Sequence, residues 1–562
     1  MTLNKKKLTL VILGFLIFIT GLFFIYWNKF FTQNSKLVPS EGGIYTEAVI
    51  GTVKNLNPLS ENRSIFDRDL QNLIFAGLLS YDSGSGQITD GIAHLNISEN
   101  ARKYTLTLKD SVKFSDGENI TIDDVRFTFE EIIQNPNFSN QFLFKAFEYI
   151  TINIIDEKTI EFNLPERNVF FRYLLIVPIL PKKYFENALI EEIVDPNYSF
   201  NKKPIGAGPF KIKNIIPNDD GSFRVFLEKN KYFYKGVPKI NQLVFYVFPD
   251  FQFLEFAMPW PTMFGNIPSA RIDSFQKKLF DNYGLREYLL PRWTGIFFNT
   301  KKEFVKNINF RKALSNSIDK GSLLEKEKGW KILDSFYFFE GIENWHETNF
   351  AKARSLLRDS GFPYDKEKKY RTIGKNGDKI SLNFVTSISP PSYSRFAQQI
   401  ARRWEEELDI NINVEILEED AFQEALKEKN YDILFFGQNF SYNADSISMW
   451  HSMNSNEFNF SNFQDEEVDF LIEEIRFSGA QSDLFRLNEK LNALLPAIPI
   501  TTPKYHLLIS KKLFGFSENF GKLRSHADRF LGIENWYMFQ KKAWDINDKK
   551  SKFFEFFKWI FN

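Results

Sequence analysis

The stretch from Lys103 to Ile132, KYTLTLKDSVKFSDGENITIDDVRFTFEEI, constrains the fold of this chain most tightly. Tyr104, Leu106 and Leu108 alternate with Thr105, Thr107 and Lys109, the period of a half-buried strand. Ser115-Asp116-Gly117 predicts a tight turn, with glycine where a positive φ is tolerated. Thr121 and Asp124 have the spacing of a capping box, ahead of Val125, Phe129, Ile132 and Ile133 at helical intervals. Strand, turn and capped helix form a β-turn-α unit whose apolar stripes need a core to cover them.

A chain of 562 residues with 43% apolar content supplies such a core and is globular rather than disordered. Lysine plus arginine and aspartate plus glutamate both number 71, so the chain lacks the basic excess of a nucleic-acid binder. There is no cysteine, which excludes disulfides, thiol catalysis, thiolate metal sites and an acylated-cysteine anchor.

The N-terminus offers another tether. Leu8 to Trp27 is an uncharged, apolar run of twenty residues. As a helix it spans about 30 Å, the depth of a bilayer core. Lys5, Lys6 and Lys7 precede it and hold the short N-terminus in the cytoplasm, while Tyr26 and Trp27 suit the outer interface. A cleaved signal peptide is the competing reading, but it has a shorter apolar core as a rule, and no small-x-small cleavage site follows Trp27. Both readings place Thr32 onward outside the cytoplasm. Asn28 to Glu41 is polar and reads as a stalk.

KFSDG followed by T-x-x-DV-x-FTFE resembles the signature of the family 5 extracellular solute-binding proteins, the oligopeptide- and dipeptide-binding receptors of ABC importers. Further segments resemble the same family: TVKNLNPL at Thr52–Leu59, IFAGLLSYD at Ile74–Asp82 and PIGAGPF at Pro204–Phe210. Others are WTGIFFN at Trp293–Asn299, the helix around Asn309–Asp319, FAKARSLLRDSG at Phe350–Gly361 and LNALLPAIPITTP at Leu491–Pro503. A nucleotide loop at Gly206 and Gly208 fails locally, because Pro209 follows at once and Phe210 to Ile216 alternates like a strand. Those glycines instead suit a tight backbone passage. Phe396, Ile400, Trp404 and Leu408 form an i, i+4 stripe. Pro249 to Arg271 departs from the family pattern and reads as a variant loop lining a cleft.

No catalytic constellation is present. His94, His346, His451, His506 and His526 are scattered, without HExxH or ligand-pair spacing, and neither a G-x-S-x-G elbow nor a Walker loop occurs. Asp123-Asp124 is explained by helix capping and the macrodipole, and Glu405-Glu406-Glu407 by a solvated helix face.

The resemblance implies a ligand loop after the strand at Ile433-Leu434. The family's usual form is GW-x-x-D-Y-x-DP, in which an aspartate can bind the ligand's α-amino group. Here the loop reads Gly437-Gln438-Asn439-Phe440-Ser441-Tyr442-Asn443-Ala444-Asp445, with Gln438 in place of Trp and Ser441 in place of that Asp. Asp445 either meets a cationic group, if it faces the cleft, or serves the turn. The expected ligand-binding residues are Trp293, Gln438, Asn439, Ser441, Tyr442, Asp445 and Trp450, with core packing the alternative for the aromatic ones.

The resemblance implies an α/β, two-lobed fold of the type II periplasmic-binding-protein kind, with mixed sheets, an extra N-terminal subdomain and one N-terminal transmembrane helix. The expected divisions are the anchor at 1–28, the stalk at 29–42, lobe I at 43–290 with the extra subdomain at about 60–200, and lobe II at 291–500. A return to lobe I follows at 501–540, then a basic, aromatic tail at 541–562 with the composition of an interfacial segment. The expected function is a single-pass, membrane-anchored, monomeric receptor with an extracytoplasmic body. It captures oligopeptides for ABC permease subunits, with no catalysis, cofactor, metal or nucleic-acid partner. A sugar, opine or metal complex is the alternative ligand, and a surface hydrolase or interaction protein the alternative role.

Overall fold

The computed structural model describes residues 5–544 apart from 62, 252–260, 269–281, 326–328, 338–347, 374–377, 440–444, 446, 455–457 and 517–521. A mixed sheet of 12 strands runs through the body. The long strand Ala497–Ser510 belongs to both of its halves. Thr501 and Ala497 pair with Thr294 and Phe297, whereas Lys504 to Ser510 pair with Leu289 back to Tyr283. The chain therefore crosses between halves at two adjacent places, Leu289–Arg292 and Thr501–Lys504.

Each half has its own core. The first is built on Ile44–Ile50, Gln242–Phe248, Phe223–Lys229 and Phe210–Pro217, with Tyr45, Phe66, Leu70, Phe245 and Trp536 buried against them. The second is built on Arg292–Phe298, Ile433–Asn439, Ser381–Ser387 and Asn411–Leu417, covered by the helix Pro391–Leu408. Phe396, Ile400, Trp404 and Leu408 are all buried on that helix, as their spacing requires. The helix Ile308–Asn316 stops before Ile318, which is nevertheless buried in the same core.

The opening stretch forms the predicted unit. Lys103–Leu108 is a strand of a four-stranded antiparallel sheet with Tyr104, Leu106 and Leu108 buried. Gly117 has φ +101°, and Thr121 Oγ1 accepts from the amide of Asp124 while Asp124 Oδ2 accepts from the amide of Thr121. Past Arg126 the helix loosens into a π-helical segment, Phe127–Ile133. The amide of Ser115 donates to the carbonyl of Gly206, so two motif segments far apart in sequence meet. A Cβ on Gly208 would lie 2.5 Å from the backbone carbon of Ile74, so these glycines serve close approach rather than a left-handed turn.

Two expectations change. The stalk contains a strand, Ser35–Ser40, paired antiparallel with Phe539–Trp544, because the returning C-terminal chain supplies a partner that local sequence cannot reveal. Within Pro249–Arg271, Met263–Pro268 is a strand of the central sheet between Ile44–Ile50 and Ala497–Ser510 rather than a cleft loop. A helix over Lys5–Asn34 contains the apolar run, but among the described residues no helix is long and apolar enough to cross a membrane.

Candidate functional site

A cavity of about 670 Å³ opens between the two lobes. The first lobe lines it with Tyr149, Arg167, Phe170 and their neighbours, and the second with Tyr337, Gln438, Asp445 and Arg476. A second cavity, of about 390 Å³, lies within the first lobe around Arg68, Tyr81 and Arg524 and draws no residue from the second core.

The segment carrying Arg167 and Phe170 is held by the four-stranded sheet. Tyr104 Oη donates to the carbonyl of Asn168 at 2.7 Å, and the Tyr104 and Phe171 rings meet edge to face at 5.0 Å. From there the segment reaches the helix Glu466–Ser478 of the second lobe. The amide of Val169 donates to the carbonyl of Arg476, the Arg167 guanidinium lies 4.0 Å from the centre of the Phe477 ring, and Phe170 is buried in the second lobe's aromatic core. The opening strand thus fixes one wall of the cavity.

On the other wall, Gln438 lies on Ile433–Asn439 with Trp293 as its cross-strand partner. Its Oε1 is buried and has no hydrogen-bond partner among the described residues. A buried amide oxygen without a donor costs about 1–3 kcal/mol, which a ligand N–H would recover. Asp445 Oδ1 lies 3.5 Å from Arg476 Nε and 3.4 Å from the amide nitrogen of Ile447, which donates to it. Burial raises the Asp445 carboxyl above the ordinary carboxylate range, while Arg476 pulls the other way.

Trp293 and Trp450 are fully buried and do not line the cavity. They pack with Phe297 and Phe336 in one cluster beneath it, Trp293 stacking on Phe297 at 5.0 Å and Trp450 meeting Phe336 edge to face at 5.4 Å. Asn439 ends its strand, and Ser441 and Tyr442 lie outside the described residues. Arg476, Arg167 and Phe170 were not reached from sequence, because each meets the site through a partner in the other lobe or a distant loop. Among the described residues no group of three or more histidine, aspartate or glutamate side chains could hold a metal ion.

The model of the bacterial extracellular solute-binding proteins, family 5, matches residues 87–460. The chain is 23% identical to the oligopeptide-binding protein AppA of Bacillus subtilis (strain 168), over 89% of this chain and 92% of that protein. The structure of AppA from Bacillus subtilis in complex with a nonapeptide superposes with a TM-score of 0.70 at 21% identity, covering 89% of this chain and all of that one. NikZ from Campylobacter jejuni in complex with Ni(L-His) has a TM-score of 0.68 at 21% identity, covering 88% of this chain and 99% of that one. At such identities the structural likeness speaks for the two-lobed α/β fold, and the family match goes further: this chain is a family 5 bacterial extracellular solute-binding protein.

Proposed function

We propose that the protein is a membrane-anchored extracellular receptor that captures oligopeptides between its lobes and delivers them to an ABC importer. It acts as a monomer and performs no chemistry. The observation that carries this reading is the interlobe cavity with the buried Gln438 Oε1 on its wall, which has no hydrogen-bond partner among the described residues. Its volume falls in the ~300–1,000 Å³ range of pockets that enclose drug-sized ligands, enough for a short peptide. Peptide backbones carry an N–H at nearly every residue, so a buried acceptor suits them whatever their side chains. In this reading Gln438, Asn439, Ser441, Tyr442 and Asp445 meet the ligand, and Trp293 and Trp450 stiffen the wall from behind. AppA, crystallised with a nonapeptide, is the relative that lends weight to a peptide.

The helix Lys5–Asn34 supports the anchor. Phe15, Phe24 and Ile25 are 64%, 70% and 66% exposed, apolar surface that a bilayer would cover.

One observation favours a second reading, a non-peptide solute. Asp445 is engaged by Arg476 of the same chain, so its charge is already answered and is not held ready for a ligand ammonium group. NikZ, bound to Ni(L-His), has the same fold and a different ligand class.

Thermal unfolding of the purified protein with a broad peptide library separates the two. Bound peptide raises the melting temperature by mass action. No shift across the library, with no peptide retained in native mass spectrometry, sinks the peptide reading and leaves the solute open.

A further inference from the structure

We propose that the cavity of about 390 Å³ within the first lobe is a second solute site, which takes a small carboxylate with an apolar body between Arg63 and Arg68. The site does not depend on what the interlobe cavity holds, since the two cavities share only Phe142. Arg63 precedes the helix Ile65–Ile74 and Arg68 lies within it. Arg63 Nη1 donates to the carbonyl of Pro58 at 2.8 Å and to Gln71 Oε1 at 3.2 Å, both neutral acceptors. Its Nε is buried and has no hydrogen-bond partner among the described residues. Asp67 acts on Arg63 from nearby, but its carboxylate already accepts from the amides of Lys54, Asn55 and Ser64. Neither arginine forms an ion pair among the described residues. Burial, and then Arg68, lowers the Arg63 guanidinium to about 10, so both stay cationic at neutral pH and repel one another. An anion between them answers both charges, and a carboxylate matches the guanidinium fork.

The other charged groups of this cavity are already matched. Arg524 Nε and Nη2 donate to both oxygens of Asp528, at 3.0 and 2.9 Å. Burial lowers the Lys235 ammonium while Glu534 works against that, and Lys235 Nζ donates to Ser80 Oγ at 2.9 Å. Arg63 and Arg68 are therefore the excess charge. The end of the helix adds nothing to it, because Ser64 and Asp67 close that end as a capping box. Beside the arginines the wall is apolar, with Phe75, Phe142 and Leu143. Phe142 is 57% exposed, a large ring left uncovered at the point where the two cavities meet. A single negative charge on an apolar body suits such a wall, whereas a phosphate would face the rings with charged oxygens. The carboxylate belongs to a free organic acid or to the end of a ligand reaching in from between the lobes, and the two sources separate experimentally.

The test is calorimetric titration of the full chain with N-acetylphenylalanine, a carboxylate on an aromatic body, and with N-acetylphenylalanine amide, which lacks the charge. The acid should bind with a Kd of about 1 mM or tighter, and the amide at least about tenfold more weakly. Arg63→Gln and Arg68→Gln should each weaken the acid by about tenfold or more. Arg68 is exposed, so its variant keeps the fold and decides the matter even where Arg63→Gln disturbs the lobe. Gln438→Leu should leave binding of the acid unchanged. Absence of binding, equal binding of acid and amide, or binding of the acid that Arg68→Gln does not alter overturns the proposal. So does inorganic phosphate binding as tightly as the acid. Loss of the acid on Gln438→Leu as well as on Arg68→Gln assigns the carboxylate to a ligand held between the lobes and overturns the separate site.

Discussion

The amide of Val169 donates to the carbonyl oxygen of Arg476 at 3.0 Å, joining the two lobes by a main-chain hydrogen bond at the rim of the cavity. Beside it, a Cβ on Gly479 would meet Val169 Cγ2 at 3.3 Å, so the approach is close on both sides. Phe170 inserts next to this bond and is only 8% exposed. One segment of the first lobe thereby latches onto the helix whose Arg476 holds Asp445.

If this latch favours the arrangement in which the lobes touch, Phe170→Ala should open the unliganded protein. The apparent dissociation constant then rises in proportion to the lost fraction of binding-competent molecules, by about tenfold for a change of ~1.4 kcal/mol. Small-angle scattering should show a larger radius of gyration without ligand and an unchanged one at saturation. Identical scattering curves for both proteins without ligand would refute the latch.

Gln438→Leu roughly keeps the volume of the side chain and removes the buried acceptor. Peptide affinity should fall by about 10- to 100-fold, in line with ~1–3 kcal/mol for a buried hydrogen bond. Asp445→Asn should cost less than tenfold, because Arg476 rather than the ligand answers that charge. Titration calorimetry with one peptide measures both, and a larger loss at Asp445 than at Gln438 would place the ligand's ammonium group on Asp445 after all.

Arg529 is fully buried between two carboxylates. Its Nη1 and Nη2 donate to both oxygens of Asp69, and Nε donates to Glu47, whose other oxygen accepts from Tyr45. This ties the returning C-terminal chain to the first strand and to the helix Ile65–Ile74. Arg529→Met should cost about 3–5 kcal/mol, the usual penalty for leaving buried charges unpaired. Adding Glu47→Gln and Asp69→Asn should recover a large part of it in urea unfolding. No recovery would show that packing, not charge, is what the arginine supplies.

His526 gives the fold a pH dependence of known sign. Burial, with Arg529 and Arg292 nearby, pushes it from 6.5 down to about 3. Between those values the folded state holds fewer protons than the unfolded one. Stability from this group is therefore complete above pH 6.5 and is lost as the pH falls towards 3. Glu47, raised to about 7 by burial against the pull of Arg529, acts in the opposite sense between its ordinary 4.5 and 7. A comparison with His526→Phe cancels that contribution. From pH 7 to pH 4 the unmodified protein should lose on the order of 3 kcal/mol more than the variant. Equal losses would mean that His526 titrates normally.

The parts of this fold that were legible in sequence are those set by neighbours along the chain. Tyr104, Leu106 and Leu108 announce a strand, Thr121 and Asp124 a cap, and Phe396 to Leu408 a helix face, because each pattern closes within a few turns. Order of motifs, rather than any one pattern, pointed to the family. The site was legible only in part. Gln438 was reachable because it follows a recognisable strand, and it lines the cavity. Trp293 and Trp450 were placed by residue type, but an aromatic ring satisfies core and cleft equally well, and here the core takes both. The Asp445–Arg476 pair joins a loop and a helix of the second lobe about thirty residues apart, the Val169–Arg476 bond depends on contact between lobes, and the ribbon at Ser35–Ser40 on a partner some 500 residues away. No local period encodes those.

The proposed function is capture of a peptide between the lobes. A crystal structure of the protein purified from its native source, with no ligand added, tests it most directly. Continuous peptide density is expected in the cavity between Arg167 and Gln438, with a ligand N–H on Gln438 Oε1. A cavity holding a non-peptide solute, or peptide density anywhere but between the lobes, would contradict it.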